Sequence, residues 1–347
     1  MSFKIQHLDK LEPYLCREIP EVMPARYIQL VIIRQLESHA IFTTEGDDLT
    51  TRKVRAGRQS DDVIPRLMMT NRKVLATERR LGKETLRAVG IFPEAAEDSC
   101  YLGKQCGKCL DCILCGFAAL KGLGNMNSRV LTDEGWSLDS RNGFNTANMT
   151  FNAINERTRG TGQALGDSDV ILPGTLFVNV TALKGVTIHE FLYWLYCTHF
   201  TRRYGADASR MGKMRNHIVG LVGSNVEALS SLDLTQRFYD VAKDASDPEV
   251  LATKSDDVIT NALNALKLKN YAQLKRAETD VLIQDFLSKY GEGATLSAWL
   301  REANAQAEQY TAKKSKKVKG EEEEAEEVKV EKADAGEIGE DNDNNEE

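Results

Sequence analysis

The chain has 347 residues, is 41% hydrophobic and carries a formal net charge of −7. This length allows two or three domains with a sizeable core, and no apolar run approaches the roughly 18–20 residues that span a bilayer. We therefore expect no membrane span. The N-terminal residues lack the layout of a signal peptide, which predicts a cytoplasmic protein.

The charge is distributed unevenly along the chain. Residues 320–347 hold 14 Asp/Glu and 2 Lys, whereas the remainder holds 43 Lys/Arg and 38 Asp/Glu. A mildly basic body attracts polyanions. The composition of residues 313–347 predicts a disordered charged tail, whose acidic part would mimic nucleic acid and suppress stray binding.

The first part of the chain predicts a strand, a loop and a helix. Residues 27–43 are rich in β-branched and aromatic side chains, which is typical of a buried strand. Residues 45–62 are polar and contain glycine, which predicts a loop. Residues 71–89 have a helical apolar pattern, with Val74, Leu75, Leu81 and Leu86 on the core side.

Basic residues are concentrated in residues 52–87, which contain 11 Lys/Arg against four acidic residues. A single basic residue usually lies on a solvated face, but the whole group predicts a surface that contacts phosphates. The candidate contacts, together with those from two later segments, are Arg52, Lys53, Arg55, Arg58, Arg72, Lys73, Arg79, Arg157, Arg159, Arg210 and Lys213.

Five of the seven cysteines lie between residues 100 and 116, with spacings of x5, x2, x2 and x2. A structural zinc ion takes four thiolate or imidazole ligands, commonly from C-x2-C turns. We predict Cys100, Cys106, Cys109 and Cys112 as the zinc ligands and Cys115 as a packed thiol. Cys115 in place of Cys100, an iron–sulfur cluster, and disulfides or idle thiols remain alternatives.

The second half of the chain predicts further regular structure. Residues 149–172 predict a hairpin or an extended, mobile loop, with Arg157 and Arg159 near its tip, and residues 173–183 predict a strand. An apolar helix follows over residues 186–204, with Thr187 as its N-cap. Residues 203–223 predict a glycine-punctuated loop that leads into a strand, and residues 233–310 predict helices.

Three segments resemble a known family, the RAMP backbone subunits of CRISPR effector complexes. CGKCLDCILCG (106–116) is similar to the cysteine motif of type III backbone subunits. NERTRGTGQAL (155–165) is similar to the thumb hairpin of the family. PGTLFVNVTAL and its helix, followed by RYGADASRMGKM, resemble the segments that close the family core. Length and insertions most resemble the type I-D subunit.

The resemblance implies an α+β fold with an RRM-like (ferredoxin-like) core, a zinc-binding insertion, a thumb hairpin and a helical C-terminal part. The expected units are a core (1–95 and 117–230), a cysteine module (96–116), a thumb hairpin (149–172), a helical region (231–312) and a charged tail (313–347).

The resemblance also implies a function in antiviral defence. Copies of the protein would polymerise along a CRISPR guide RNA and bind its phosphates on an open sheet or in a groove. Other effector subunits and the target nucleic acid, DNA rather than RNA, would be further partners. Pairing with the guide would then supply the sequence specificity.

Two other functions are consistent with the sequence. Type III relatives cut target RNA with an aspartate after the first strand, and Asp47 and Asp48 lie in the equivalent region. They would support a metal-dependent nuclease, but such residues more often end a turn, so we assign no catalytic residue. A standalone zinc-containing nucleic-acid binder is the third reading.

Overall fold

The computed structural model describes residues 3–44, 46, 48–93, 99–120, 124–142, 145–154 and 157–334. Over these residues the protein has a mixed α+β fold with twelve strands and seven α-helices. The strands are β1 (Tyr27–Leu36), β2 (Thr51–Arg55), β3 (Val63–Met69), β4 (Phe117–Leu120), β5 (Gly124–Met126), β6 (Val130–Thr132), β7 (Gly135–Ser140), β8 (Thr146–Ile154), β9 (Thr161–Ile171), β10 (Leu176–Lys184), β11 (Met214–Ser224) and β12 (Tyr271–Leu274). The helices are α1 (Asn71–Ala88), α2 (Leu110–Cys115), α3 (Ile188–Phe200), α4 (Ser231–Ala242), α5 (Pro248–Ala265), α6 (Arg276–Tyr290) and α7 (Gly293–Asp334).

The main sheet has eight antiparallel strands in the order β12-β11-β1-β10-β7-β3-β2, with β6 also paired to β10. The apolar run of β1 suits a central strand, because both of its faces are buried. In the register Val31 lies opposite Val180 of β10. The strand predicted over residues 27–43 is therefore confirmed for Tyr27–Leu36, which lie at the centre of the sheet, whereas residues 37–43 are outside the strand.

Helices cover both faces of the central strands. Ile28, Leu30 and Ile32 belong to the same apolar cluster as α3, α6 and α7. Val31 and Ile33 face the other side and pack with α4 and α5. Alternation of side chains along β1 explains this division. The centre of the sheet is consequently not open, so the predicted phosphate-contacting surface would have to lie at an edge or in a groove.

Several predicted elements are confirmed. Helix α1 falls within residues 71–89, and β8 and β9 form the predicted antiparallel hairpin. Thr187 is the N-cap of α3: its hydroxyl accepts a hydrogen bond from the backbone N–H of Glu190, whose carboxylate accepts one from Thr187 N–H. This capping box satisfies two N–H groups that would otherwise lack partners in the first turn.

Three segments differ from the prediction. The predicted loop over residues 45–62 contains β2, which pairs with β3 although its own pattern is polar, so tertiary pairing outweighs local propensity. The predicted helical stretch 233–310 contains β12, which forms a sheet edge. Helix α7 continues to Asp334, inside the segment predicted to be disordered, because Glu, Lys and Ala favour helix.

No helix of the described part is long and apolar enough to cross a bilayer.

Candidate functional site

The structure brings together the four cysteines predicted as metal ligands. The sulfur atoms of Cys100, Cys106, Cys109 and Cys112 all lie within 4.8 Å of one another. Cys100 Sγ is 3.6 Å from Cys112 Sγ and 3.9 Å from Cys109 Sγ. Ligands at about 2.3 Å in a tetrahedron have sulfurs about 3.8 Å apart. The cluster therefore fits a tetrahedral thiolate-bound metal ion.

Local backbone structure holds this cluster in place. Cys109 is the N-cap of the short helix α2, and its sulfur accepts a hydrogen bond from Cys112 N–H at 3.4 Å. Cys106 N–H donates to Cys100 Sγ and Cys109 N–H donates to Cys106 Sγ. Such N–H donors are the usual partners of metal-bound thiolates. Cys115 lies outside the cluster, in the main apolar core, where burial raises the pKa of its thiol.

A buried charged group borders the cluster. Lys83 Nζ lies 2.9 Å from Cys100 Sγ, 3.6 Å from Cys112 Sγ and 2.8 Å from Asp111 Oδ2. Burial opposes its charge, but Asp111 and the cysteines outweigh this effect and raise the pKa of Lys83. Hydrogen bonds from the other three thiols, with Lys83 adding to them, hold the pKa of Cys100 well below its usual range.

Arg79 is the one predicted phosphate contact that lies in the interior. It is 7% exposed, and its guanidinium donates to Asp111 Oδ2 at 2.8 Å and to the carbonyl oxygen of Gly116 at 2.7 Å. The prediction of a surface role for Arg79 is therefore wrong: the side chain anchors α1 to the cysteine segment. A positively charged side chain is typical of the surface, so the sequence did not indicate that Arg79 is buried.

The other predicted basic residues, apart from Lys73, are exposed, and two of them pair with acidic side chains. Lys73 is half-buried, and burial, with Arg72 adding to it, lowers the pKa of its ammonium. Arg55 pairs with Asp61 at 2.8 Å and Arg58 with Asp233 at 3.3 Å. The exposed members of the set are Arg52, Lys53, Arg55, Arg58, Arg72, Arg157, Arg159, Arg210 and Lys213.

A cleft of about 420 Å³ lies between the β2 edge and the start of α1. It is lined by Thr44, Asp48, Leu49, Thr50, Thr51, Arg52, Met68, Thr70 and Arg141. Thr70, the residue before α1, is 8% exposed, and its hydroxyl has no hydrogen-bond partner among the described residues. The first turn of α1 contains no acidic residue, although helix N-termini attract anions. These features suit a phosphate group.

The β8–β9 hairpin contacts the residues of this cleft at its base. Arg141 donates to Asp169 of β9 at 2.7 Å and to Thr51 of β2 at 3.4 Å. Arg157 and Arg159 lie between the two hairpin strands in the chain. Asp48 lines the cleft, whereas Asp47 lies outside the described residues. Sequence reasoning missed Thr70 and Arg141, which belong to no motif.

The glycines of the loop before β11 serve packing within the protein. Gly212 has a φ of 75°, and a Cβ there would collide with the carbonyl oxygen of Tyr204. Gly205, with a φ of 93°, likewise packs against Ile41. Only glycine combines this conformation with such close approach. The loop consequently has one defined path, which places Arg210 and Lys213 at its surface.

Comparison with known proteins identifies the family of this chain. The family model described as Csc2 Crispr matches residues 14–314, most of the chain. The chain belongs to the Csc2 family of CRISPR proteins. A crystal structure of Thermofilum pendens Csc2 resembles it with a TM-score of 0.55 and 20% identity, over 86% of this chain and 98% of that one. At this identity the likeness to Csc2 shows a shared fold. No curated protein matches the chain.

More distant structures also resemble this Csc2 family member. One is titled as a CRISPR RNA-guided surveillance complex in a pre-nicking state, with a TM-score of 0.45, 10% identity, and 71% of this chain and 90% of that one covered. Another is titled as a type IV-B CRISPR complex, with a TM-score of 0.38, 13% identity, and coverage of 54% and 89%.

Proposed function

We propose that this protein is the guide-RNA-binding backbone subunit of a CRISPR surveillance complex. Membership of the Csc2 CRISPR family over residues 14–314 is the observation that carries the proposal. Several copies would line up along one guide RNA, contact other effector subunits and support recognition of a target, DNA rather than RNA. The type I-D assignment and a cytoplasmic location are part of this proposal.

The chain topology supports an RRM-like, ferredoxin-like core. The strands β11, β1, β10 and β6 are neighbours in that order. Helix α1 lies between β1 and β6 in the chain, and α3 connects β10 to β11. This β-α-β-β-α-β order is that of a ferredoxin-like unit. We assign residues 1–95 and 117–230 to this core, with the cysteine module (96–116), the thumb hairpin (149–172), the helical region (231–312) and the tail (313–347) as additions.

The cleft beside β2 supports contact with an RNA backbone. Arg52 and Arg141 line it, and the N-terminus of α1, with Arg72 and Lys73 in its first turn, lies beside it. Hydroxyl groups, guanidinium groups and a helix N-terminus are the usual donors to phosphate oxygens. In this proposal the cleft holds guide phosphates, while the thumb displaces a base at intervals.

The cysteine cluster supports a structural zinc ion. Thiolates from short C-x2-C turns, each buried or half-buried, are the donor set that zinc prefers. The ion would brace a segment too short to hold a core of its own. Cys100, Cys106, Cys109 and Cys112 would be the ligands, and zinc would have no part in contacting RNA.

The test is to express the protein together with a CRISPR array, purify it and size any bound nucleic acid on a denaturing gel. A discrete RNA of guide length in an oligomer is expected. The matched control is the same expression without the array, which should yield no discrete species. Heterogeneous RNA or none, from a monomer, would contradict the proposal and favour a standalone zinc-containing binder.

A further inference from the structure

We propose that Lys83 is a positioning residue of the metal site, which neutralises charge on the thiolates and keeps the ion bound. The inference rests on the proposed metal site, and it assigns a role to a residue that no cysteine motif contains. Lys83 belongs to α1, outside the cysteine segment, and is 1% exposed. A buried lysine needs partners for its charge, and its partners identify its role.

Three partners surround the Lys83 ammonium. Nζ donates hydrogen bonds to Cys100 Sγ at 2.9 Å and to Cys112 Sγ at 3.6 Å, and it forms an ion pair with Asp111 Oδ2 at 2.8 Å. Two of the three partners are therefore predicted metal ligands. If the ammonium only paired with Asp111, it would not have to lie next to the two sulfurs.

The charges around the site explain why a cation is placed there. Four thiolates around a divalent ion leave two surplus negative charges in a buried place. Asp111 is shared by Lys83 and Arg79, each 2.8 Å away. This triad carries one net positive charge beside the thiolates, so it offsets half of the surplus. Lys83 is the member of the triad that touches the sulfurs.

Among the four cysteines, Cys112 relies most on Lys83 as a hydrogen-bond donor to its sulfur. Cys100, Cys106 and Cys109 each accept a backbone N–H from within the cysteine segment. Of the N–H groups in the described part of the chain, that of Lys83 alone donates to Cys112 Sγ. Without Lys83, Cys112 would become the most nucleophilic of the four metal-bound thiolates, since a donor withdraws charge from sulfur.

The path of α1 places Lys83 at the site. Gly82 precedes it and faces α3, where a Cβ would collide with Tyr193 and Cys197. The close approach of the two helices fixes the rotation of α1 about its axis. Arg87, one turn further along, donates to the carbonyl oxygen of Cys100 at 3.1 Å. The metal site and α1 therefore hold each other in position.

The experiment compares Lys83→Met with Arg80→Met in the full chain loaded with zinc. Loss of an outer partner of a metal ligand usually weakens binding by about 10–100-fold. We expect Lys83→Met to release zinc to a chromogenic chelator at least about tenfold faster than wild type. Arg80→Met removes a cation from the exposed face of the same helix, so its release rate should stay within about twofold of wild type. Equal release rates in Lys83→Met and Arg80→Met would show that the position of Lys83 at the sulfurs has no effect on the metal.

Two further readouts separate charge neutralisation from packing. In the cobalt-loaded protein, Lys83→Met should move the sulfur-to-cobalt charge-transfer band to longer wavelength, because a thiolate without its donor is easier to oxidise. Alkylation of the loaded variant should begin at Cys112. Arg80→Met removes a cation from the exposed face of the same helix and should change neither readout.

Several outcomes would overturn the proposal. A folded Lys83→Met variant with wild-type zinc release, or with an unshifted cobalt spectrum, would show that Lys83 does not act on the thiolates. If Lys83→Met fails to fold, Lys83→Gln keeps a donor without the charge and should still release zinc faster. Wild-type protein that binds no zinc would refute the metal site itself, a result distinct from any of these.

Discussion

Arg34 of β1 and Glu78 of α1 form an ion pair of 2.8 Å in which neither side chain is exposed. Arg34 also donates to the hydroxyl of Tyr204 and to the side-chain oxygen of Asn216, each at 2.8 Å. Although burial opposes its charge, Tyr204 and Glu78 raise the pKa of Arg34. One network thus joins the central strand, the helix that reaches both candidate sites, and the loop that precedes β11.

Breaking this pair should destabilise the protein strongly. Arg34→Met leaves Glu78 charged and buried, and removal of one partner of a buried pair costs about 3–5 kcal/mol. We expect that loss in the free energy of unfolding measured in urea. Arg34→Met combined with Glu78→Leu should cost less, because no uncompensated charge remains. Equal losses in the two variants would show that the pair is not energetically coupled.

The cysteine assignment can be checked by comparing two neighbouring substitutions. Cys112→Ser removes a predicted ligand and should lower bound zinc from one equivalent to nearly none, measured by mass spectrometry of metals. Cys115→Ser changes a thiol in the apolar core and should retain the metal, with a smaller loss of thermal stability. Loss of metal in Cys115→Ser and retention in Cys112→Ser would reverse the assignment.

Part of this arrangement could be predicted from the sequence because it depends on local patterns. The C-x2-C spacing keeps Cys106, Cys109 and Cys112 close together along the chain, and Thr187 before an apolar run is a recognisable N-cap. The burial of Arg79 and Lys83 was not predicted, although both lie at helical spacing between Leu75 and Leu86 on the predicted core side, because basic side chains are almost never fully buried without a partner. Their positions follow from Asp111, which is distant in sequence and close only in the folded chain.

Reversing the charge of Arg72 in the first turn of α1 should raise stability and weaken RNA binding. Arg72 lies there, exposed, and cations at a helix N-terminus are unfavourable. Arg72→Glu should therefore stabilise the protein by about 0.3–1 kcal/mol. If the residue contacts a phosphate, the same change should weaken guide binding, and the slope of log affinity against log salt should fall by about 0.7.

Lys254→Glu is the matched control for this charge reversal. Lys254 is exposed on α5, against the opposite face of the sheet, and its replacement should have little effect on RNA binding. Fluorescence anisotropy with a guide-length RNA at several salt concentrations measures both variants. Equal losses from Arg72→Glu and Lys254→Glu would indicate that only net charge matters.

Three histidines should make the protein less stable in mild acid. Burial lowers the pKa of His189, His199 and His217. As pH falls through the unfolded value of about 6.5, the unfolded state takes up protons that the folded state does not. The free energy of unfolding is therefore highest above that pH. Below it, the free energy of unfolding falls by up to about 1.4 kcal/mol per pH unit for each histidine.

The effect can be measured as the free energy of unfolding at pH 7.5 and at pH 5.5. His189 packs edge-on against Phe3, with ring centres 5.1 Å apart, and its Nε2 is 3.7 Å from Glu302. His189→Phe keeps an aromatic ring and should remove part of the loss at pH 5.5. A free energy of unfolding that does not change over this range would contradict the prediction.

The acidic end of the chain should weaken the binding of non-cognate RNA. Residues 320–347 carry 14 Asp/Glu and 2 Lys, whereas the rest of the chain has an excess of basic residues. The acidic segment therefore competes electrostatically with RNA for the basic surfaces. Deleting residues 320–347 should raise the affinity for random RNA at low salt, and the gain should vanish at high salt.

Replacing the acidic residues of the segment by Gln and Asn keeps its length and should give the same gain. An unchanged affinity in both variants would exclude this role, because only electrostatic competition predicts that charge rather than length matters.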